Sequence, residues 1–269
     1  MSRVRERALI FDDNFVILHD MYNEMAITEC KIWVRDPNFL NMPNIDICNK
    51  KYGKAIIVLG DSHAMNLFNI MSYSDTYPFV IGISQGRCRP HNNKKECHYD
   101  AFEVFLETHD KVIDLVLYHQ SGSYFIKDVY NRVDSGAAFK GKFLNYAINN
   151  ISKVSDYLRK ISSVANIKVL WIGPFLEYRW QPQQQIFSDK IYAVNPASVT
   201  LFEGLEEQIY SVVSDEKGFS YERYSNLFFE PQVSFVKNCF VFRDKDHFSK
   251  CGEKIIAKRL TPDFLNKYF

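Results

Sequence analysis

The stretch Ala55-Ile-Ile-Val-Leu59-Gly60-Asp61-Ser62-His63 decides how the rest of the chain is read. Its first five residues are an unbroken apolar, partly β-branched run, the signature of a strand buried on both faces of a parallel sheet. The pattern then breaks. Gly60 tolerates backbone angles closed to other residues, so the chain can turn sharply there. Asp61 bonds nearby backbone amides and favours a turn or a helix cap. Ser62 is left at the carboxyl end of the strand and the mouth of the next helix. Helix amides converge there, and open α/β sheets hold their ligands there. A serine at that place is a candidate nucleophile once a base reaches it.

Outward from this stretch, strands and helices alternate. Residues 55–59 are the first strand and 64–72 the helix after it. A second strand (79–84), a polar loop (85–98), a helix (99–109) and a third strand (112–118) follow. Residues 143–164 repeat Leu144, Ala147, Ile151, Val154, Leu158 and Ile161 at helical spacing. A fourth strand (167–172), a helix (201–213), a fifth strand (219–223) and a final helix within 249–267, bent or ended by Pro262, complete the pattern. Residues 136–141 and 180–196 read as loops. Before the first strand, 1–28 has helix-like spacing, and 29–53, with Pro43, several Asn and two Cys, reads as irregular. The expectation is an α/β fold: a three-layer α/β/α sandwich around a parallel sheet of about five strands, joined by right-handed crossovers. Residues 1–54 are a helical or irregular extension or linker, and 55–269 the catalytic domain.

Composition narrows the function. The 269 residues suit one large α/β domain, with or without an extension. Basic residues (33) and acidic residues (32) nearly cancel, so nucleic-acid backbone binding is not expected. Aromatic content is 15%; most of those rings belong in the core, and some can line a groove. No apolar run approaches the roughly 18 residues of a membrane span. The N-terminus is basic, but Asp12 and Asp13 interrupt the apolar stretch behind it, so no signal peptide is read there. The chain is then either cytoplasmic or part of something longer. Cys30, Cys48, Cys88, Cys97, Cys239 and Cys251 fall into three sequence-local pairs at spacings of 18, 9 and 12, with no Cys-x-x-Cys. Disulfides in an oxidising compartment are the favoured reading over six buried thiols, and a zinc cluster is not expected. His91 and His98 flank a charged loop, read as solvated, so no metal site is expected.

The candidate base lies near the end of the chain. Asp244-Lys-Asp-His247-Phe-Ser249 puts a carboxylate three residues before a histidine, just ahead of the last helix. An imidazole needs a partner on one nitrogen so that the other can take a proton. Asp244 can be that partner while His247 faces Ser62. Asp246 is adjacent, less able to fold back, and is read as facing solvent.

Together, Gly60-Asp61-Ser62 and Asp244-x-x-His247 resemble the first and last blocks of the SGNH hydrolases, also called GDSL-like esterases. More narrowly, Gly60-Asp-Ser-His-Ala64 with Asp244–Ser249 is similar to the SGNH domains appended to membrane acyltransferases of the acyltransferase-three type. Those act in bacterial O-acetylation of surface polysaccharide. Ile172-Gly173-Pro174 and Cys88-x-Pro90 also fit that subgroup. The resemblance covers roughly 55–260 and implies that 1–54 joins the membrane part to this domain. It implies an SGNH/flavodoxin-like sandwich in which Ser62, His247 and Asp244 form a triad. The oxyanion hole would use the amides of Ser62 and Gly86, since Gly82 lies inside the second strand. The usual third block, Gly-x-Asn-Asp, is replaced by Tyr118-His119-Gln120-Ser121-Gly122-Ser123, so Gln120 or His119 would stand in for the Asn side chain. His63 takes a structural or substrate-side role. Tyr178, Arg179 and Trp180 are candidates for holding a sugar or carboxylate, and packing explains them equally well. His119 is a second candidate on the substrate side.

The function implied is acyl transfer, in particular acetyl transfer, through an acyl-Ser62 ester onto sugar hydroxyls of a bacterial surface polysaccharide, with no cofactor. Partners would be a glycan acceptor, an acyl-ester donor, and a membrane acyltransferase or missing membrane portion. The location would then be periplasmic or otherwise extracytoplasmic. A free-standing carbohydrate or lipid esterase and a non-catalytic glycan-binding module are the alternatives.

Overall fold

In the computed structural model, the residues described are 21–92, 94, 96–133, 143–177, 196–215, 217–228, 235–236, 239–244, 246–260, 262–266 and 268. The strands are β1 (Lys31–Val34), β2 (Ala55–Gly60), β3 (Val80–Ser84), β4 (Ile113–His119), β5 (Ile126–Asp128), β6 (Phe143–Tyr146), β7 (Lys168–Ile172), β8 (Ser220–Glu222), β9 (Phe235–Val236) and β10 (Cys239–Phe240). The helices are α1 (Met42–Tyr52), α2 (Ser62–Tyr73), α3 (Tyr99–His109), α4 (Ile148–Ala165), α5 (Pro196–Val213), the single turn α6 (Tyr224–Leu227) and α7 (Lys250–Ala257).

Six strands form one sheet in the order β1-β3-β2-β4-β7-β8, and every neighbouring pair is parallel. The apolar run 55–59 is at its centre as β2, buried along its whole length. Alternate strand residues feed two cores. Ile57, Leu59, Ile81, Val116 and Trp171 pack in the layer of α3, α4 and α5. Ile56, Val58, Val80, Leu117 and Ile172 pack in the layer of α2 and α7. Each such side chain contributes about 1.5–3 kcal/mol by leaving water. This is the three-layer α/β/α arrangement that the alternation implies. Among the described residues no helix is long and apolar enough to cross a membrane.

Several elements depart from the sequence reading. Within 29–53, read as irregular, Met42–Tyr52 form the 11-residue helix α1. The sheet has six strands rather than about five because Lys31–Val34, within the stretch read as irregular, pairs in parallel with β3 at the edge. Four residues beginning with lysine carry little strand signal. Lys31 nonetheless lies buried, its ammonium donating to the carbonyls of Met71 (3.4 Å), Ser74 (3.1 Å) and Tyr77 at the end of α2. Burial lowers its pKa to about 8, opposed by the charge of Asp75. Next, the helical period of 143–164 begins too early. Residues 143–146 pair with β5 as an antiparallel hairpin, and α4 starts only at Ile148. Last, α7 ends at Ala257, and Pro262 opens a separate 3-10 turn, Pro262–Leu265. The helix expected from 201 starts at Pro196, where proline's fixed φ suits a first turn. The loop expectations for 136–141 and 180–195, and the helix-like spacing over 1–20, lie outside the described residues; 21–24 form a 3-10 turn.

All six cysteines pair, in the three local groups read from the sequence: Cys30–Cys48, Cys88–Cys97 and Cys239–Cys251. The first ties β1 to α1. The second closes the loop after β3. The third joins β10 to α7. Loops of this length give about 2–4 kcal/mol per bridge by restricting the unfolded chain. Reduction should therefore lower the thermal midpoint by more than about 5 °C, measured by circular dichroism with and without a thiol reductant.

Candidate active site

The strand order creates the site. After β2 the chain places β3 on one side and then β4 on the other, so a crevice opens at the carboxyl ends of β2 and β4. Gly60 ends β2 with φ +148°, and a side-chain carbon there would lie 1.9 Å from the His119 carbonyl oxygen. Only glycine lets the two strand ends approach this closely. Asp61 then caps α2, its Oδ1 accepting from the His63 amide at 2.9 Å. Ser62 becomes the first residue of the helix.

Asp61 is fully buried and has two further partners. The Ser121 amide lies 3.3 Å from both of its oxygens, and Arg89 Nε forms an ion pair with Oδ2 at 2.8 Å. Arg89 is itself buried in the loop closed by Cys88–Cys97, with its guanidinium 3.2 Å above the Tyr124 ring. Removing one partner of such a pair costs about 3–5 kcal/mol, because the other charge stays buried.

The second half of the site is a tight loop between β10 and α7. Ser249 N donates to the Val241 carbonyl at 2.8 Å and Arg243 N to the His247 carbonyl at 2.9 Å, closing 241–249 like a small hairpin. Inside it, Asp244 Oδ1 accepts from the amides of Asp246 (2.9 Å) and His247 (2.8 Å). The same carboxylate reaches His247 Nδ1 at 2.9 and 3.0 Å. His247 Nε2 is 2.8 Å from Ser62 Oγ. The structure thus brings together Ser62, His247 and Asp244 in the geometry of a Ser-His-Asp relay. Asp246 does not face solvent. Its Oδ1 lies 3.4 Å from His247 Nδ1, and its side chain is 16% exposed against 46% for Asp244, because the turn at 244–247 swings it inward.

This carboxylate-rich setting sets the charge of the imidazole. Burial works against the charged form of His247, but the hydrogen bond and charge of Asp244, joined by Asp246 and Asp61, raise its pKa to about 9. For Asp244, burial is outweighed by the bond and charge of His247 and by the Asp246 amide, which lower it to about 2. The carboxylates therefore favour the protonated imidazole, and rising pH favours its neutral, basic form.

One turn along α2 from Ser62, Asn66 clamps the loop that carries His247 to the helix that begins at Ser62. Its Oδ1 accepts from the Phe248 amide at 3.2 Å, and its Nδ2 donates to the Phe248 carbonyl at 3.3 Å. The same Nδ2 donates to Glu253 Oε1 at 2.5 Å, and Asn69 donates to both Glu253 oxygens at 3.0 and 3.1 Å. Burial pushes Glu253 up to about 8, opposed by the bonds from Asn69 and Asn66. Phe248 follows His247, so this network fixes the spacing between His247 and Ser62. Asn66, Asn69, Glu253 and Arg89 escape the sequence reading. The available signal was polar residues within apolar helices, since such groups are buried only with partners. Glu177 is a further case: fully buried after β7, its Oε1 accepts from Ser121 Oγ (2.8 Å) and the Ser123 amide (3.1 Å). Burial, then the charge of Asp246, raises it to about 8.

The remaining sequence candidates separate. Gly86 stands beside the serine: a side-chain carbon on it would lie 3.9 Å from Ser62 Cβ. His119 is buried, with Nδ1 3.1 Å from the Ile172 carbonyl, and burial lowers its pKa to about 4. A neutral imidazole that donates from Nδ1 leaves Nε2 as an acceptor, so His119 cannot stand in for an oxyanion-binding Asn. Gln120 is buried too, accepting from the Tyr118 hydroxyl and donating to the Ser121 carbonyl at 3.3 Å, so its amide is committed beside its own strand end. His63 lies beneath the base, stacked on Phe175 at 4.6 Å and edge-on to His247 at 5.3 Å. Burial holds it neutral, and its fit is structural. His63, Asp246 and His247 offer ligand atoms within 4.8 Å of one another, but an ion there would take His247 away from Ser62. His91 is packed near Phe125 (5.4 Å) rather than solvated, and His98 lies 3.5 Å from Asp36. Tyr178, Arg179 and Trp180 lie outside the described residues.

Two outcomes follow from this geometry. The pH profile of kcat/KM for an acetyl ester should rise with an inflection near 9 rather than near the ordinary histidine value of about 6.5. Asp246→Asn, which removes one negative charge, should move that inflection down. Asn66→Ala should lower kcat about 100-fold with little change in KM, as a displaced reacting pair does, and lower stability by about 1–3 kcal/mol, read by denaturant titration.

No curated protein matches the chain. A family model described as "SGNH domain (fused to AT3 domains)" matches residues 29–262. That span holds both halves of the relay, the Arg89 loop and the Asn66 clamp, and it covers most of the chain. The chain therefore belongs to the SGNH domain family, in the form that occurs fused to AT3 domains.

Proposed function

We propose that this chain transfers an acyl group, in particular acetyl, through an ester on Ser62 to sugar hydroxyls of a bacterial surface polysaccharide. The observation that carries the reading is the 2.8 Å contact between Ser62 Oγ and His247 Nε2, with Asp244 on the other ring nitrogen. Neutral His247 takes the proton from Ser62 as Oγ attacks the carbonyl carbon of the donor ester. The amides of Ser62 and Gly86 receive the oxyanion. The imidazolium then protonates the departing alcohol. A sugar hydroxyl then gives its proton to His247 and attacks the acyl-serine; as the bond from the acyl carbon to Oγ breaks, His247 returns the proton to Ser62, and the sugar leaves with the acyl group.

Transfer rather than hydrolysis is supported by the family form: AT3 domains, to which this domain is described as fused, would be the source of the acyl group. Three disulfides favour an oxidising, extracytoplasmic setting. Hydrolysis is the second reading. It is favoured by a relay assembled within this chain alone, which needs only water as acceptor.

A serine-directed fluorophosphonate should label Ser62, and p-nitrophenyl acetate turnover should fall about 10⁴-fold or more in Ser62→Ala. Added glycan should divert acetyl from water to sugar. Rapid turnover unaffected by glycan would leave the esterase. Folded protein that takes no label would leave a glycan-binding module.

A further inference from the structure

Residues 21–28 precede the family-matched segment, yet they run along the mouth of the site. Five contacts tie them down. The Ala26 amide donates to Asn69 Oδ1 at 2.8 Å, and Asn69 Nδ2 donates to the Glu24 carbonyl at 3.4 Å. The Glu24 carboxylate pairs with Arg243, the neighbour of Asp244. The Tyr22 ring lies under the Arg35 guanidinium at 3.5 Å and 5.6 Å from the ring of Trp33, whose Nε1 donates to Ser84 Oγ at 3.0 Å. One short segment therefore touches both the β3 side of the crevice and the loop that carries His247.

The consequence appears at Gly86. Among the described residues, the place its side chain would occupy has two neighbours within 4 Å: the Tyr22 hydroxyl at 3.3 Å and Ser62 Cβ at 3.9 Å. The missing side chain leaves a gap with the serine on one side and Tyr22 on the other. An ester whose carbonyl oxygen turned to the Gly86 amide while Ser62 attacked its carbon would lie beside this gap, near the Tyr22 hydroxyl. The Tyr22 ring that borders the gap is held in place by the Arg35 guanidinium, 3.5 Å from its centroid.

We propose that Tyr22 is a specificity-determining residue: it closes the acyl side of the Ser62 site, so that a short acyl group fits and a longer one is refused. The proposal rests on Ser62 acting as the acyl-accepting nucleophile. It assigns to residues ahead of the matched domain a share in choosing the substrate.

The test compares kcat/KM for p-nitrophenyl acetate and p-nitrophenyl butyrate, using the full chain, in the wild type, Tyr22→Ala and Tyr22→Phe. Ser62 labelling by a small fluorophosphonate counts active sites in each. The butyrate-to-acetate ratio should rise about tenfold or more in Tyr22→Ala, the scale on which a pocket sorts substrates by one or two methylenes. Tyr22→Phe, which removes only the oxygen nearest Gly86, should raise it by a smaller factor and carries the test if the alanine variant does not fold. An unchanged ratio in a variant that labels like the wild type overturns the role of Tyr22 and leaves the nucleophile reading standing. A folded wild type that takes no label overturns both.

Discussion

Asp61 is a carboxylate taken out of water directly beside the proposed nucleophile, and such a group is several kcal/mol unfavourable unless partners surround it. Its partners come from three directions: the α2 amide of His63, the Ser121 amide after β4, and the Arg89 guanidinium after β3. Satisfying one side chain thus fixes the three strand ends that meet at the crevice. Were Arg89 to leave, the carboxylate would draw on the α2 cap for compensation, and Ser62 would lose its direction. The Cys88–Cys97 bridge and the Tyr124 ring keep Arg89 from leaving.

The base is held by different means. Its loop is closed by backbone bonds and by Cys239–Cys251, and is then bound to α2 through Asn66 and Glu253. Asn66 uses both ends of its amide on Phe248, so the contact has a defined direction as well as a distance. A hydrophobic contact at this place would permit sliding along α2. The polar clamp permits one register, and that register puts His247 Nε2 on Ser62 Oγ.

Much of this was legible in the sequence, and the limits have physical reasons. Buried strands announce themselves as apolar runs, so the centre of the sheet was plain. Ser62, Asp244 and His247 were legible as neighbours because each sits in a short motif whose residue types imply a partner. Arg89, Asn66, Glu253 and Glu177 were not, because a buried polar residue has meaning only through groups far away in sequence; Asn66 and Glu253 are 187 residues apart. β1 is too short to declare itself, and β6 shares its spacing with the helix it precedes. Asp246 turned inward because a capped turn, which backbone bonds decide, reversed its direction.

The sequence separation of 185 between Ser62 and His247 also governs when the two can meet. A chain made from its N-terminus can form β2, α2 and their neighbours long before the segment bearing the histidine exists. During that time Ser62 is an alcohol without its imidazole partner, on a helix one side of which is still uncovered. The base arrives with nearly the last element to dock, and the Asn66 clamp and the third disulfide close over it. If Ser62 has the role proposed, its reactivity would be a late event in the maturation of this molecule, because the segment that carries His247 also completes the core over α2.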